Sequence, residues 1–296
     1  MQELTQWLRE AGIAFHVNVP LCQYTTFHIG GAASCMAFPK TAEQLRLTAE
    51  AAASADLPCR ILGNGSNILA PDEGVEGLVI CTKQMHKCTF SDGYFEAEAG
   101  MNLSLLLREA AHAGYGGAEE LCGIPATVGG AVCMNAGAFG KEISAFVRQV
   151  RVFDPLSMTF RRMAPEALSF AYRHSSLQES GEILCSASIA LSPTDTDDAL
   201  RRMQDFTRRR QAAQPRQPSA GSFFRREPDC IPARLMDMCG LKGMRVGDAA
   251  ISEKHAGFIV NLAAATAADV RTLAQAAERA VQDRFGVRMC PEVKIW

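Results

Sequence analysis

Small residues dominate one segment of the chain, residues 123–140, which reads GIPATVGGAVCMNAGAFG. A backbone with so few bulky side chains can lie directly against a large planar or phosphorylated ligand. Thr127 stands where it can cap a short helix, and a helix N-terminus favours an anion. The alternative is a small-residue helix packed closely against a sheet, and the segment by itself is compatible with both.

A second glycine-containing segment, residues 63–67, follows a predicted strand at residues 58–62 and reads GNGSN. Its backbone N–H groups, the Ser66 hydroxyl and the Asn67 amide can all donate hydrogen bonds to a phosphate. It is not the dinucleotide-binding fingerprint, because Ile68 occupies the position of the third glycine. A tight turn at the end of a strand is the alternative interpretation.

Composition excludes several classes of protein. The net charge of -2 disfavours a dedicated nucleic-acid binder. The polar start MQELTQWLRE and the absence of a run of about 18 apolar residues predict a soluble, cytoplasmic protein with no membrane partner. The eleven cysteines form no C-x-x-C pair, so we expect reduced, mostly buried thiols and no metal site.

Local patterns predict alternating helices and strands, as in an α+β fold. Strands are predicted at residues 34–38, 58–62, 78–81, 94–99, 147–153, 182–191 and 258–262. Helices are predicted near residues 4–12, 41–55, 103–113, 196–206, before 240 and over 266–285. Thr196 or Asp197 is the predicted cap of the fourth helix, and Thr266 with Asp269 forms a predicted capping box for the last.

The composition changes between Arg201 and Arg226, where eight arginines accompany one acidic residue, Asp205. We therefore predict a domain boundary near residue 205. An arginine run usually solubilises an exposed face, and it can also create a positive field that attracts an anionic ligand.

Eight motifs occur in one order between residues 24 and 293, and together they resemble the UDP-N-acetylenolpyruvoylglucosamine reductase family. The motifs are TTFHIGG at 25–31, GNGSN at 63–67, GIPATVGGA at 123–131 with MNAGA at 134–138, YRHS at 172–175, AGSFF at 220–224, GLKG at 240–243, HAGFIVN at 255–261 and PEV at 291–293. The length suits the shorter of that family's two classes, which lacks an inserted substrate loop.

The resemblance implies an α+β fold with two FAD-binding subdomains of the vanillyl-alcohol-oxidase/PCMH type and a C-terminal α+β substrate-binding domain. The expected domains are residues 1–80, 81–205 and 206–296. The implied activity is NADPH-dependent reduction of UDP-N-acetylglucosamine enolpyruvate to UDP-N-acetylmuramate, in peptidoglycan precursor synthesis. Hydride would pass from the N5 atom of reduced, non-covalently bound FAD to the vinyl carbon. We expect a monomer.

The resemblance also assigns site residues. Arg173 would bind the substrate carboxylate and Ser222 would protonate the carbon beside it. Glu292 would be protonated or paired with a cation, because an ionised carboxylate beside a developing anion raises the barrier. The residues implied for FAD are Gly63, Asn64, Gly65, Ser66, Asn67, Gly123, Ile124, Pro125, Thr127, Gly129, Gly130, Ala131, Asn135 and Ala136. Those implied for the substrate are Arg225, Lys242, His255 and Asn261.

Without the resemblance, each catalytic candidate has an ordinary interpretation. Arg173 would be a solvated surface residue, Ser222 a serine in a glycine-containing turn and Glu292 an exposed glutamate. Two other functions are compatible with the motifs, namely a flavin oxidase or dehydrogenase for a small hydroxy acid and a nucleotide-binding regulatory protein.

Asp248 departs from the resemblance, because many members have glycine there. We expect Asp248 to tolerate positive φ if the turn needs it, and His28 to be structural.

Overall fold

The computed structural model describes residues 1–228 and 230–296, and these form a mixture of helices and strands, as predicted. The helices are α1 (Gln2–Glu10), α2 (Ala42–Ser54), α3 (Leu103–His112), α4 (Val128–Cys133), α5 (Thr196–Ala213), α6 (Pro232–Met238) and α7 (Ala267–Phe285). The strands up to α4 are β1 (Ala14–Pro20), β2 (Ala32–Phe38), β3 (Cys59–Leu62), β4 (Ile68–Leu69), β5 (Val75–Cys81), β6 (Cys88–Ser91), β7 (Tyr94–Glu98) and β8 (Tyr115–Gly116). The later strands are β9 (Gly137–Ala138), β10 (Lys141–Glu142), β11 (Val147–Asp154), β12 (Thr159–Met163), β13 (Ile183–Ile189), β14 (Ser192–Pro193), β15 (Arg245–Val246), β16 (Ala249–Ile251), β17 (Ile259–Asn261) and β18 (Lys294–Ile295).

Helix α7 shows how local sequence determines an element. The Thr266 side chain accepts a hydrogen bond from the Asp269 backbone N–H, and the Asp269 carboxylate accepts one from the Thr266 backbone N–H. This capping box is the one predicted, and Gly286 ends the helix with φ +68°. Apolar residues at helical spacing bury one face of α7, so both ends and the packing of the helix follow from short-range signals.

The predicted cap of α5 is wrong. Thr196 is the first residue of the helix, and the Asp195 carboxylate accepts a hydrogen bond from the Asp198 backbone N–H at 2.9 Å. The Thr196 hydroxyl instead donates to the Ala111 backbone oxygen at 3.0 Å. Thr196 and Asp197 both lie inside the helix, so neither can occupy the cap position that Asp195 takes.

The chain divides into two compact units, each built from three separated segments. Unit 1 contains residues 1–17, 35–64 and 76–209, and unit 2 contains residues 18–34, 65–75 and 210–296. The division of the chain at residues 80 and 205 stays a prediction.

Unit 1 contains a five-stranded antiparallel sheet in the order β12-β11-β13-β7-β6. Buried residues of this sheet, α3, α4 and the start of α5 form its larger core. A second core includes residues of α1, α2 and β5. Strand β5 pairs in parallel with β3 in a four-stranded sheet of order β1-β2-β5-β3.

Unit 2 contains the antiparallel sheet β15-β16-β17, with α6 and α7 contributing to one core. Phe27, Ile29 and Leu69 are buried in the same core, although they lie far from these elements in sequence. Strand β18 pairs in parallel with β4, Lys294 opposite Ile68. The unit therefore requires the early segments as well as the last 87 residues of the chain (210–296).

Within residues 1–228 and 230–296, no helix is long and apolar enough to cross a membrane. All eleven cysteines are free thiols, as expected. Five of them are buried, five are half-buried and Cys59 is exposed, so the prediction of mostly buried thiols is only partly right.

Candidate active site

The loop of Gly65, Ser66 and Asn67 in unit 2 presents unpaired backbone donors. Gly65 is buried with φ +63°, and a Cβ atom there would overlap the Tyr24 backbone oxygen and lie 2.8 Å from the Thr25 Cα atom. No acceptor in the described part of the chain binds the backbone N–H groups of Gly65, Ser66 and Asn67. Partly buried donors without a partner are suited to an anion such as a phosphate.

Ser222 lies on an extended segment held between two others in unit 2. The backbone N–H of Phe223 donates to the Gly257 oxygen at 2.8 Å, and the Phe223 oxygen accepts from the Glu292 N–H at 2.8 Å. Phe223 and Phe224 are buried and anchor the segment, while Ser222 is exposed. Ser222 therefore directly precedes the residue whose backbone binds Glu292.

Asn67 connects the donor loop to the same frame. Its side-chain amide donates to the Glu292 backbone oxygen at 3.2 Å, and its own backbone oxygen accepts from the Lys294 N–H at 2.9 Å. The structure thus brings together three predicted site segments of unit 2: the loop at 65–67, Ser222 and Glu292. The predicted protonation or ion pairing of Glu292 stays a prediction.

Ser222 shares a sheet face with a cleft in unit 2. It lies opposite Phe258 in an antiparallel bridge, so the two side chains point to the same face. Phe258 belongs to a small buried cluster with Ala250 and Val260, apart from the core that contains α7. Neighbouring residues of a strand point to opposite faces of a sheet. Ser222 therefore lies on the face of Phe258, and α7 packs on the other face, which carries Ile251 and Ile259.

The cleft has a volume of about 720 Å³, within the range of small-molecule sites. Ala250 and Val260 are among its apolar residues. The charged residues that line it are Arg216, Arg245, Lys254 and Glu253. Three cations and one carboxylate among apolar residues suit a ligand that combines an anionic group with an apolar part.

Two of the predicted substrate residues carry accessible cations in unit 2. Arg225 is exposed and its guanidinium lies 3.1 Å from the Glu227 carboxylate. The Lys242 ammonium lies 3.0 Å from the Asp237 carboxylate. Both pairs are at the surface, where ion pairing is weak enough for either cation to bind another anion.

His255 is held as a neutral hydrogen-bond donor. Its Nδ1 atom accepts from the Gly257 backbone N–H at 3.2 Å, which leaves the proton on Nε2. Burial, together with the nearby Lys242 charge, lowers the pKa of His255 below its ordinary value.

Asn261 is buried, and its amide is used inside unit 2. The Nδ2 atom donates to the Phe27 backbone oxygen at 3.2 Å, and Oδ1 accepts from the backbone N–H groups of Ala263 and Ala265 at 3.1 and 3.0 Å. These bonds indicate a structural role for its side chain, while its assignment to the substrate stays a prediction.

Asp248 has clear hydrogen-bond partners in unit 2, while the structural role expected for His28 stays a prediction. Gly247, not Asp248, has positive φ, so Asp248 needs no unusual backbone. Its carboxylate accepts from Arg245 at 3.2 Å and from the Ala264 N–H at 3.1 Å, and it thereby ties two loops together. His28 has φ +56°, and the described residues contain no cluster of three metal-ligating side chains.

The glycine-rich segments of unit 1 show the predicted helix cap and close packing, while their contact with a ligand stays a prediction. Thr127 caps α4 by accepting from the Gly130 N–H, as predicted. A Cβ atom on Gly129 would lie 2.9 Å from the Ala99 oxygen, so Gly129 permits close packing against the neighbouring chain. Gly130 is exposed, with only the Thr127 hydroxyl near its Cβ position at 3.5 Å, so α4 also leaves an open surface.

Gly63 and Asn64 contact this region within unit 1. A Cβ atom on Gly63 would lie 2.5 Å from the Thr127 hydroxyl, so only glycine allows this approach. The Asn64 amide donates to the Pro125 oxygen at 2.8 Å. Of the other residues predicted to bind FAD, Ala131 is buried, while Gly123, Ile124 and Ala136 are half-buried.

Arg173 and Asn135 lie in neighbouring loops of unit 1. The Arg173 guanidinium donates to the Gly137 oxygen at 3.1 Å. Asn135 is 1% exposed and its amide donates to the Ala171 oxygen, two residues before Arg173. The structure therefore joins Asn135 to the arginine loop.

Sequence reasoning missed the cleft residues Arg245 and Lys254, and it missed the half-buried Gln178, whose amide donates to the backbone oxygens of Cys133 and Arg173. Arg216 lies in the arginine-rich segment and could have been selected from it. Arg245 and Lys254 lack a local sequence signal, because only the pairing of β15, β16 and β17 brings them to one cleft.

Comparisons with known proteins find matches in two parts of the chain. Residues 33–161 match a family described as "FAD binding domain". Residues 214–296 match "UDP-N-acetylenolpyruvoylglucosamine reductase, C-terminal domain". The UDP-N-acetylenolpyruvoylglucosamine reductase of Caldicellulosiruptor bescii is 39% identical over 295 residues, covering 99% of this chain and 94% of the relative. That of Streptococcus pyogenes serotype M18 is 39% identical over 285 residues, covering 96% of each.

Solved structures extend the comparison. The crystal structure of UDP-N-acetylenolpyruvylglucosamine reductase from Thermus caldophilus aligns with a TM-score of 0.80 and 39% identity, covering 96% of this chain and 98% of that one. Berberine bridge enzyme from Eschscholzia californica aligns with a TM-score of 0.52 and 16% identity, covering 65% and 44%, and shares the fold alone. The predicted flavin-binding fold with a C-terminal α+β domain is confirmed.

Proposed function

The chain belongs to the UDP-N-acetylenolpyruvoylglucosamine reductase family, and we propose that it converts UDP-N-acetylglucosamine enolpyruvate to UDP-N-acetylmuramate for peptidoglycan synthesis. It is an FAD-dependent oxidoreductase that uses NADPH as its reductant. The observation that carries the detailed proposal is the frame in unit 2. Asn67 binds the backbone of Glu292, and Glu292 binds the backbone of Phe223, next to Ser222.

The residues present fit a flavin dinucleotide. The N–H groups of Gly65, Ser66 and Asn67 supply donors for its pyrophosphate, and the bare backbone near Gly130 suits a flat ring. FAD, when bound without a covalent link, supplies the transfer of a hydride from NADPH to the vinyl carbon of the substrate.

Three side chains act on the substrate in this proposal. Arg173 binds the carboxylate and stabilises the negative charge that develops next to it. Ser222 donates its hydroxyl proton to the carbon beside the carboxylate, which is basic enough at that moment to accept it. Glu292, protonated or paired, supports this proton transfer without adding charge. The exposed Ser222 hydroxyl and the fixed backbone of Glu292 support these roles.

The cleft on the same sheet face as Ser222 supplies a place for the uridine diphosphate. Arg216, Arg245 and Lys254 offer positive charge for the two phosphates, and the apolar residues at its base suit the uracil ring. Arg225 and Lys242 add cations to the same unit. His255 offers an Nε2 hydrogen-bond donor at neutral pH.

Anaerobic flavin spectroscopy tests the proposal. The purified protein is expected to be yellow, to be bleached by NADPH and to regain its colour on addition of the enolpyruvyl nucleotide, with UDP-N-acetylmuramate as product. Bleaching by a small hydroxy acid without NADPH would identify an oxidase or dehydrogenase instead. A colourless protein that binds UDP-sugars without turnover would identify a nucleotide-binding protein.

A further inference from the structure

The loop that carries Arg173 has a backbone conformation that its own sequence disfavours. Arg173 has φ +57°, in the left-handed region that costs a residue with a side chain about 1–2 kcal/mol. Such a conformation persists only when neighbouring groups hold it. The groups that hold this loop belong to residues 133–144 and to Ser175 and Gln178 of the same unit.

Asn135 makes the first connection. Its Nδ2 atom donates to the Ala171 backbone oxygen and to the Glu142 carboxylate, both at 2.9 Å. Its Oδ1 atom accepts from the Ser144 backbone N–H at 3.2 Å. Both amide hydrogens and the amide oxygen are thus used within the protein, and the side chain links the β9–β10 region to the start of the arginine loop.

Gln178 makes the second connection. Its Nε2 atom donates to the backbone oxygens of Arg173 and Cys133 at 3.1 and 3.0 Å. The Ser175 hydroxyl donates to the same Cys133 oxygen at 2.7 Å. Cys133 is the last residue of α4, so these bonds fix the far side of the loop to the end of that helix.

The guanidinium of Arg173 is oriented by the same region. It donates to the Gly137 oxygen at 3.1 Å and lies over the Tyr172 ring at 4.8 Å. A Cβ atom on Gly137 would lie 3.2 Å from the guanidinium and 2.8 Å from the Lys141 oxygen. The guanidinium of Arg173 is therefore in close contact with Gly137 of the β9–β10 hairpin. A change in the separation of the arginine loop from this hairpin would move the guanidinium.

We propose that Asn135 and Gln178 are positioning residues for Arg173, because they hold its backbone and so fix its guanidinium before the substrate carboxylate arrives. This inference rests on the proposed function, in which Arg173 binds that carboxylate. Neither side chain needs to touch the substrate or FAD. Preorganisation of a charged donor increases its effect on a developing charge, since no energy is spent on reorientation.

Gln178→Glu tests the second connection, because the new side chain has the same shape as glutamine. It replaces the hydrogen bonds to the Arg173 and Cys133 oxygens by repulsion between a carboxylate and two carbonyl oxygens. The matched control is Gln84→Glu at an exposed position. We expect Gln178→Glu to retain FAD and to be reduced by NADPH within about two-fold of the parent rate. Reoxidation by the enolpyruvyl nucleotide should slow by about 10- to 100-fold, and the affinity for UDP-N-acetylmuramate, measured by calorimetry, should fall.

A double-mutant cycle with Arg173→Ala separates positioning from a general structural effect. Once Arg173 is absent, Gln178→Glu should slow reoxidation by no more than about two-fold. Independent, multiplicative effects would overturn the inference, as would normal reoxidation and product affinity in Gln178→Glu. If Arg173→Ala itself reoxidises normally, the proposed role of Arg173 fails, which is a different result.

Asn135→Asp gives a second test, since aspartate tolerates positive φ as asparagine does. It removes the donors to Ala171 and Glu142, so reoxidation should slow selectively. Adding Glu142→Gln restores one donor between the two side chains and should recover part of the rate and of the product affinity. No recovery in a folded, yellow double variant would contradict the role of Asn135.

Discussion

The side-chain amide of Asn67 donates a hydrogen bond to the backbone oxygen of Glu292, 225 positions later in the chain, at 3.2 Å. Through this bond the loop with unpaired N–H groups is joined to the segment that also binds Phe223. The two segments proposed for cofactor binding and for proton transfer are therefore joined by hydrogen bonds within unit 2.

Gly65→Ala should abolish FAD binding. The added Cβ overlaps the Tyr24 oxygen, and the residue must also keep φ +63°, so the loop has to move away from its present path. The measurement is flavin absorbance per mole of purified protein. Gly93→Ala is the control, because Gly93 has φ +83° with no atom within 4 Å of the Cβ position. It should lose about 1 kcal/mol of stability and keep its flavin. Equal flavin content in both variants would contradict the assignment of the loop.

Ser222→Ala should slow only the half-reaction with the substrate. Loss of a positioned proton donor costs about 10²- to 10⁴-fold in rate, while reduction by NADPH does not use the hydroxyl. Stopped-flow absorbance measures the two half-reactions separately. Ser54→Ala, at an exposed position, should behave as the parent protein. A normal rate of reoxidation in Ser222→Ala would remove Ser222 from the mechanism.

Glu119→Gln should reduce the acid sensitivity of unit 1. Burial alone raises the pKa of Glu119, but the hydrogen bond from Arg202, with that from the Gly117 N–H, outweighs it, and the pKa lies below the ordinary value of 4.5. The ionised form is favoured in the folded state, so this contribution to stability is present above about pH 4.5 and is lost as the pH falls through the folded-state pKa.

Urea denaturation measures this effect. At pH 7, Glu119→Gln should lower the unfolding free energy by about 1–3 kcal/mol, and the difference should shrink as the pH falls below 4.5. Glu3→Gln, at an exposed position, is the control. A difference that stays constant with pH would show that the charge of Glu119 does not contribute.

Asn261→Ala should destabilise unit 2 and leave the affinity for substrate nearly unchanged. The variant leaves the Phe27 oxygen and the N–H groups of Ala263 and Ala265 without their partner. Loss of buried partners costs about 1–3 kcal/mol for each group. Thermal unfolding and the KM for the enolpyruvyl nucleotide distinguish the two roles. A large increase in KM at normal stability would support a substrate contact instead.

Short-range signals predicted much of the fold. Thr41, Thr127 and Thr266 cap the helices that follow them, since each cap acts over three residues. Strand β1 was not predicted, because most of its residues are exposed and show no alternation. The cap of α5 was misassigned because consecutive polar residues all qualify by type, and only the folded chain selects Asp195.

The candidate site was harder to predict than the helices. The resemblance assigned Asn135 to FAD and Asn261 to the substrate, and both assignments stay predictions. Both are buried, and their amides bind the protein itself. Sequence alone cannot distinguish an amide that faces a ligand from one that satisfies a buried backbone, because both need the same donors and acceptors. Gln178 was missed since its partners, Arg173 and Cys133, are defined by tertiary contacts.

The pairing of β4 with β18 has a consequence for biosynthesis on the ribosome. At a translation rate of about 5–20 residues per second, roughly 10–45 s separate the synthesis of Asn67 from that of Glu292, 225 positions later. During that interval Phe27, Ile29 and Leu69 lack the later half of their core. The nascent chain therefore exposes an incomplete apolar surface, which chaperones can bind, until residues 210–296 have been synthesised.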